Sequence, residues 1–165
     1  MKKFISILLC VSIVISCAVC ITGCSAEDFA MFSGKKANFI LVRPQTASKN
    51  VVASTNYFRK AILDTHEISV TYKQDNVKVK AGQVEVNVGV TNRPNSKKLY
   101  DELVKANENY GMDYTISFED DIIYIVAGSD IALQNAVDFF LSHFCGYTTS
   151  TIKRNFSYKY HFDGE

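Results

Sequence analysis

Two adjacent carboxylates, three histidines and five cysteines are the groups in this 165-residue chain best able to do chemistry. His66, His143 and His161 are scattered and make no HExxH or other metal-ligand spacing, so no metal is expected. A GxSxG elbow and a Gly-rich phosphate loop are both missing, and the CxxC spacing of Cys17 and Cys20 falls inside an apolar N-terminal stretch. Cys145 follows His143 by two positions, and residues two apart on a helix do not face each other. An inert thiol, buried or half-buried, is therefore expected there rather than a nucleophile. Asp120 and Asp121 sit between two strand-like runs, where acidic residues serve a turn. Gly128-Ser129 at a helix start could offer free N–H groups to an anion, a feature that most helix starts share.

The N-terminus carries a different chemistry. Met1-Lys2-Lys3 followed by FISILLCVSIVISCAVCITG reads as an export signal, although the stretch is also long enough to remain as a membrane-spanning anchor. Ile21-Thr22-Gly23-Cys24 resembles the lipobox of bacterial lipoproteins. The resemblance implies cleavage between Gly23 and Cys24 and acylation of the Cys24 thiol, so that the protein is held at the outer face of a bacterial cell membrane. Two or more acyl chains, each buried CH₂ contributing about 0.8 kcal/mol, suffice for such an anchor. With Cys10, Cys17 and Cys20 removed and Cys24 lipidated, only Cys145 remains, so no intramolecular disulfide is expected. Without Lys2 and Lys3 the chain has 16 basic against 17 acidic side chains, which is not the balance of a nucleic-acid binder.

The organisation expected is a signal peptide over 1–23, a polar tether over 24–37 and one domain over 38–165. In the tether, Lys35 and Lys36 could touch lipid head groups. NFILVR predicts a first strand ending at Pro44, then a helix capped by Ser48 with Val51, Thr55, Phe58 and Ile62 on its inner stripe. ISVTYKQDNVKVKAG predicts a hairpin turning at Gln74-Asp75-Asn76. Residues 84–90 alternate, with Val84, Val86, Val88 and Val90 on one face, as in a strand buried on one side only. Asn95 or Ser96 should cap a helix from Lys97 to about Asn109, striped by Leu99, Tyr100, Leu103, Val104 and Ala106 and braced by an Asp101–Lys105 pair. A second hairpin follows, Tyr114 to Phe118 and then the doubly buried run IIYIVA. Ser129 or Asp130 should cap the last helix, with Leu133, Ala136, Val137, Phe140, Leu141 and Phe144 inward and Gly146 left-handed at its end. The resulting fold class is α+β, a two-layer arrangement of a mixed, largely antiparallel sheet with two or three helices packed on it. Its predicted core holds Phe58, Ile62, Val86, Val88, Leu103, Ile123, Ile125, Val137 and Phe140.

VEVNVGVTNRPNS, DDIIYIVAGSD and ALQNAVDFFLSHF together resemble the small α/β module preceding the catalytic barrel in family 20 β-N-acetylhexosaminidases and in α-glucuronidases. In those enzymes the catalytic acids lie in the barrel, which needs about 250 residues, so the resemblance carries no catalytic residue onto this chain. It implies a non-catalytic accessory module, binding glycan or a glycosidase partner, with no cofactor. A stand-alone envelope interaction protein, or the remnant of a longer glycosidase, is the alternative. Candidate contacts are Phe139, which lies off its helix stripe, and the alternating aromatics Phe156, Tyr158 and Tyr160 of the C-terminal tail, where an edge strand packing on the core is the plainer reading. An exposed aromatic row would favour carbohydrate binding there; a buried one would favour the alternative.

Overall fold

Parallel strands with apolar residues at successive positions need cover on both faces, and three helices among the described residues supply it. A computed structural model describes residues 27–164. In chain order the elements are β1 (Asp28–Ala30), β2 (Phe32–Ser33), β3 (Lys36–Ala37), β4 (Phe39–Arg43), α1 (Lys49–His66), β5 (Tyr72–Gln74), β6 (Val84–Val88), α2 (Ser96–Ala106), β7 (Tyr114–Glu119), β8 (Ile122–Ala127), α3 (Asp130–Phe144), β9 (Thr151–Lys153) and β10 (Ser157–Tyr160). A 3-10 turn, Tyr110–Met112, joins α2 to β7. The central sheet has the order β10-β7-β8-β6-β4-β5. Its β5–β4, β4–β6 and β6–β8 pairings are parallel, whereas β8–β7 and β7–β10 are antiparallel. Two small antiparallel ribbons, β1–β9 and β2–β3, complete an α+β fold whose sheets are mixed and, taken together, largely antiparallel.

Alternation along each strand divides the core in two. Val84, Val86 and Val88, with Ile123 and Ile125, face α1 and α3 and meet Phe58, Ile62, Val137 and Phe140. Tyr124 and Val126 face the other way and meet Leu99 and Leu103 of α2. All nine expected core residues are buried, so the register read from the hydrophobic period holds. Ser48 and Ser129 cap α1 and α3, each accepting from the backbone N–H three residues on. Asp120 and Asp121 form the β7–β8 turn with φ of 50° and 62°, the left-handed pair that a two-residue hairpin turn requires.

Several expectations are corrected. Residues 28–37 are not a polar tether: β1 pairs with β9, the Met31 side chain is fully buried, and Phe29 and Phe32 pack on the core. The hairpin expected over 68–82 does not close. Val70 is buried, but β5 pairs only with β4, and Val77 is exposed. Hydrogen bonding to β4 satisfies β5, so no second arm is needed.

The strand at 84–90 ends at Val88, and its second face is buried as well, because α2 and the Arg93 side chain cover Glu85 and Asn87. The Asn87 amide, fully buried, has no hydrogen-bond partner among the described residues. Helix α2 starts without a side-chain cap bond and stops at Ala106, and Lys97 rather than Lys105 pairs with Asp101. Ser96 is drawn inward instead, accepting from the Thr91 N–H at 2.8 Å. Gly146 is not left-handed: α3 closes with Cys145, at φ −129° and ψ 19°, donating its N–H to the Leu141 carbonyl.

Candidate functional site

The chain leaves β4 through Pro44 and crosses one face of the sheet as α1, whereas it leaves β6 through Gly89 and crosses the other face as α2. The carboxyl ends of these adjacent strands therefore diverge, and in open parallel sheets such a switch point leaves a crevice that ligands use. A cavity of about 560 Å³ lies there, reached also by Ala127 to Asp130 after β8. Val51, Gly89 and Leu133 form its apolar floor; Thr46, Ser48, Ser129 and Asp130 supply hydroxyls and a carboxylate; Lys97 and Tyr100 come from the start of α2. Burial and the neighbouring Tyr110 raise the Tyr100 phenol above its ordinary pKa.

Three side chains, those of Ser48, Asp75 and Arg93, set the shape of this crevice. Ser48 donates to the Asp130 carboxylate at 3.0 Å, joining the starts of α1 and α3. Asp75, buried beside β5, accepts from the Gln45 N–H and from the Asn92 N–H, both at 2.9 Å, and so ties the loop after β4 to the loop after β6. Arg93 then pairs with Glu85 at 2.6 Å and donates to the Asp75 and Val77 carbonyls at 2.8 and 3.1 Å. With φ of 88° at Gly89, the backbone turns away beside Val51 and Leu133, a conformation that favours glycine.

The residues picked out from sequence do not gather at this crevice. His66 Nε2 lies 2.7 Å from the Cys145 carbonyl, and its ring stacks near Phe32. His143 lies on the Phe139 ring at 3.9 Å, and His161 pairs with Asp113. No three potential metal ligands converge among the described residues. Cys145 is buried, and that burial pushes its thiol far up in pKa. Asp121 pairs with Arg154 at the turn. At Gly128-Ser129 the Gly128 N–H donates to the Asp113 carbonyl, and the Ser129 hydroxyl caps its helix while donating to the Gly111 carbonyl, so neither of these two groups is free for an anion. Gly23 and Cys24 lie outside the described residues.

The aromatic tail is largely spent on packing. Phe156 meets the edge of Phe144, Tyr158 stacks on Phe139 at 4.4 Å and 6°, and Tyr160 stacks on Tyr114 at 4.9 Å and 12°. Phe139 is thus covered by His143 on one side and Tyr158 on the other, which corrects its assignment as a free contact. Tyr160 remains 37% exposed. The tail is clamped by the buried Asp113 carboxylate, which accepts from the Phe162 N–H at 2.8 Å and from Asn107 at 3.1 Å and pairs with His161 at 2.9 Å. Burial alone would raise the Asp113 pKa, but these bonds outweigh it and hold the carboxyl below its ordinary value. A depressed carboxyl pKa gives stability that is complete above the unfolded value and lost as pH falls through the folded one. Amide-exchange protection over 157–162 should accordingly fall as pH drops below about 4. In Asp113→Asn the same amides should already be weakly protected at neutral pH and show no further loss on acidification.

On the sequence Asp75 and Tyr100 read only as turn and helix-stripe residues and Thr46 and Arg93 carry no reading, and Pro44 and Gly89, which both end strands, are the signals that could have pointed to a shared edge. No known family profile matches the sequence, and no curated protein matches it. Among solved structures the chain is similar to a glycoside hydrolase chain, CpGH84D, with 11% identity and a TM-score of 0.47 over 81% of this chain and 22% of that one. The chain therefore spans about a fifth of that protein's length, and a likeness of this degree carries no argument about activity.

Proposed function

We propose that this protein is a non-catalytic, lipid-anchored module on the outer face of a bacterial cell membrane, and that it binds carbohydrate in the crevice at the ends of β4, β6 and β8. The observation carrying this reading is the composition of that crevice. An apolar floor suits the C–H face of a sugar ring, and Tyr100 offers an aromatic flank. The Thr46 hydroxyl, the Asp130 carboxylate and the Lys97 ammonium can pair with sugar hydroxyls. The volume of about 560 Å³ is of the size that small-molecule sites occupy. Phe156, Tyr158 and Tyr160, the candidate contacts offered by the sequence beside the plainer reading of an edge strand, are engaged in packing, which supports the crevice over the tail. A glycosidase partner at the same surface is compatible with this role. The anchor rests on Ile21-Thr22-Gly23-Cys24.

Binding of residues 26–165 to a broad array of glycans and cell-wall polysaccharides tests the proposal. Tyr100→Ala should weaken saturable binding about tenfold or more, the scale of one lost aromatic contact, while Tyr160→Ala leaves it unchanged. Loss in Tyr160→Ala alone would return the site to the tail. No binding by the unmodified domain would leave the protein an envelope interaction module without a carbohydrate role.

A further inference from the structure

The parallel strands give the domain two distinct ends. The crevice lies at the carboxyl ends of β4, β6 and β8. At the other end lie the β2–β3 ribbon that leads into β4, the Asp120-Asp121 turn that leads into β8, and the C-termini of α1 and α3, bridged by His66 and the Cys145 carbonyl. The N-terminal segment enters at this second end. Glu27 is held by its carbonyl, which accepts from the Arg154 N–H at 3.3 Å, and Arg154 pairs with Asp121 and lies over the Phe29 and Phe118 rings.

We infer that this second end rests on the lipid surface and that the crevice faces away from it. The inference depends on the proposed acylation of Cys24. Three residue steps separate Cys24 from Glu27, a reach of about 11 Å at full extension. Turning the domain over would require the chain to span the height of the sheet, and the six residues of β8 alone cover about 20 Å. The short link can tilt the domain but cannot invert it. A tether of the length expected from sequence would have let the domain tumble freely; the folding of β1 to β3 removes that freedom.

The surface chemistry at this end agrees with an interfacial position. Tyr147 is 80% exposed beside His66, and such amphipathic rings suit the head-group level. Lys35 and Lys36 stand on the exposed β2–β3 ribbon. Acidic groups are present too, with Glu67 paired to Lys35 and Asp121 paired to Arg154, so charge does not orient the domain; the link does. The crevice is thereby presented to ligands arriving from outside the membrane.

The test uses the full-length lipidated protein in vesicles of phosphatidylcholine and phosphatidylglycerol in equal parts. Single maleimide fluorophores are placed through Asn155→Cys, at the anchored end, or Thr46→Cys, at the crevice, and are quenched by a head-group spin-labelled lipid. The buried Cys145 should not compete for label. The Asn155 position is expected to be quenched several-fold more than the Thr46 position. Equal or reversed quenching in a protein that floats with the vesicles overturns the orientation while leaving the anchor in place. Flotation is scored separately beside Cys24→Ala: a protein that does not float, or a variant that floats equally well, sinks the lipid anchor on which the orientation rests.

Discussion

Replacing Arg93 with Met is expected to lower the unfolding free energy by about 3–5 kcal/mol, the cost of leaving one member of a buried ion pair without its partner. Arg93 and Glu85 are among the most enclosed charges of the domain, with side chains 14% and 10% exposed. Glu85 lies on the α2 face of β6, so its carboxylate cannot turn to water without moving the strand. Arg93 also satisfies the Asp75 and Val77 carbonyls, and through Asp75 it reaches both loops that border the crevice. Urea unfolding reads the loss directly. Adding Glu85→Leu to Arg93→Met should recover part of it, because an apolar pair no longer buries a charge, but not all of it, since the two carbonyls stay unserved. A cycle showing additive losses would mean that Glu85 and Arg93 do not interact across the strand.

The second large effect is expected at Gly128. A Cβ built there would stand 1.8 Å from the Tyr110 carbonyl oxygen and 2.7 Å from its carbonyl carbon, both backbone atoms that cannot rotate out of the way. Gly128→Ala should therefore cost about 3 kcal/mol or more by displacing the 3-10 turn from the end of β8. The Gly128 N–H to Asp113 carbonyl bond and the Ser129 to Gly111 bond would be stretched with it, so the crevice should lose shape along with stability. Gly111→Ala is the control: a Cβ there meets nothing within 4 Å, and its denaturation midpoint should stay close to that of the unmodified domain. Equal behaviour of the two variants would show that the turn does not press on Gly128.

Local period and turn chemistry carried much of this architecture. Val84, Val86 and Val88 alternate, Phe58 and Ile62 recur at helical spacing, and Ser48 and Ser129 precede their helices, so each element and its inward face could be read before any tertiary contact was known. The exceptions have a common cause. Thr71 to Gln74 looked like one arm of a hairpin, yet its partner is β4, some thirty residues earlier. Residues 28–37 looked polar and loose, but Met31 and Phe29 are enough to seat them once β9 provides a strand to pair with. Phe139 looked free on its own helix and is sandwiched by a ring from the same helix and one from the tail.

The sequence by itself determined the α+β class, the inward stripes of α1 and α3, and the nine core positions, because these depend on residues close together along the chain; on α2 only Leu99 and Leu103 of the expected stripe are buried, while Val104 and Ala106 are exposed. Only the tertiary structure decided that β4, β6 and β8 run parallel, that α1 and α2 leave on opposite faces, and that Asp75 and Arg93 hold the rim between them. A strand's hydrophobic period states which side is buried but not which strand lies beside it. The crevice exists only where two such strands meet, and for that reason no single stretch of residues announced it.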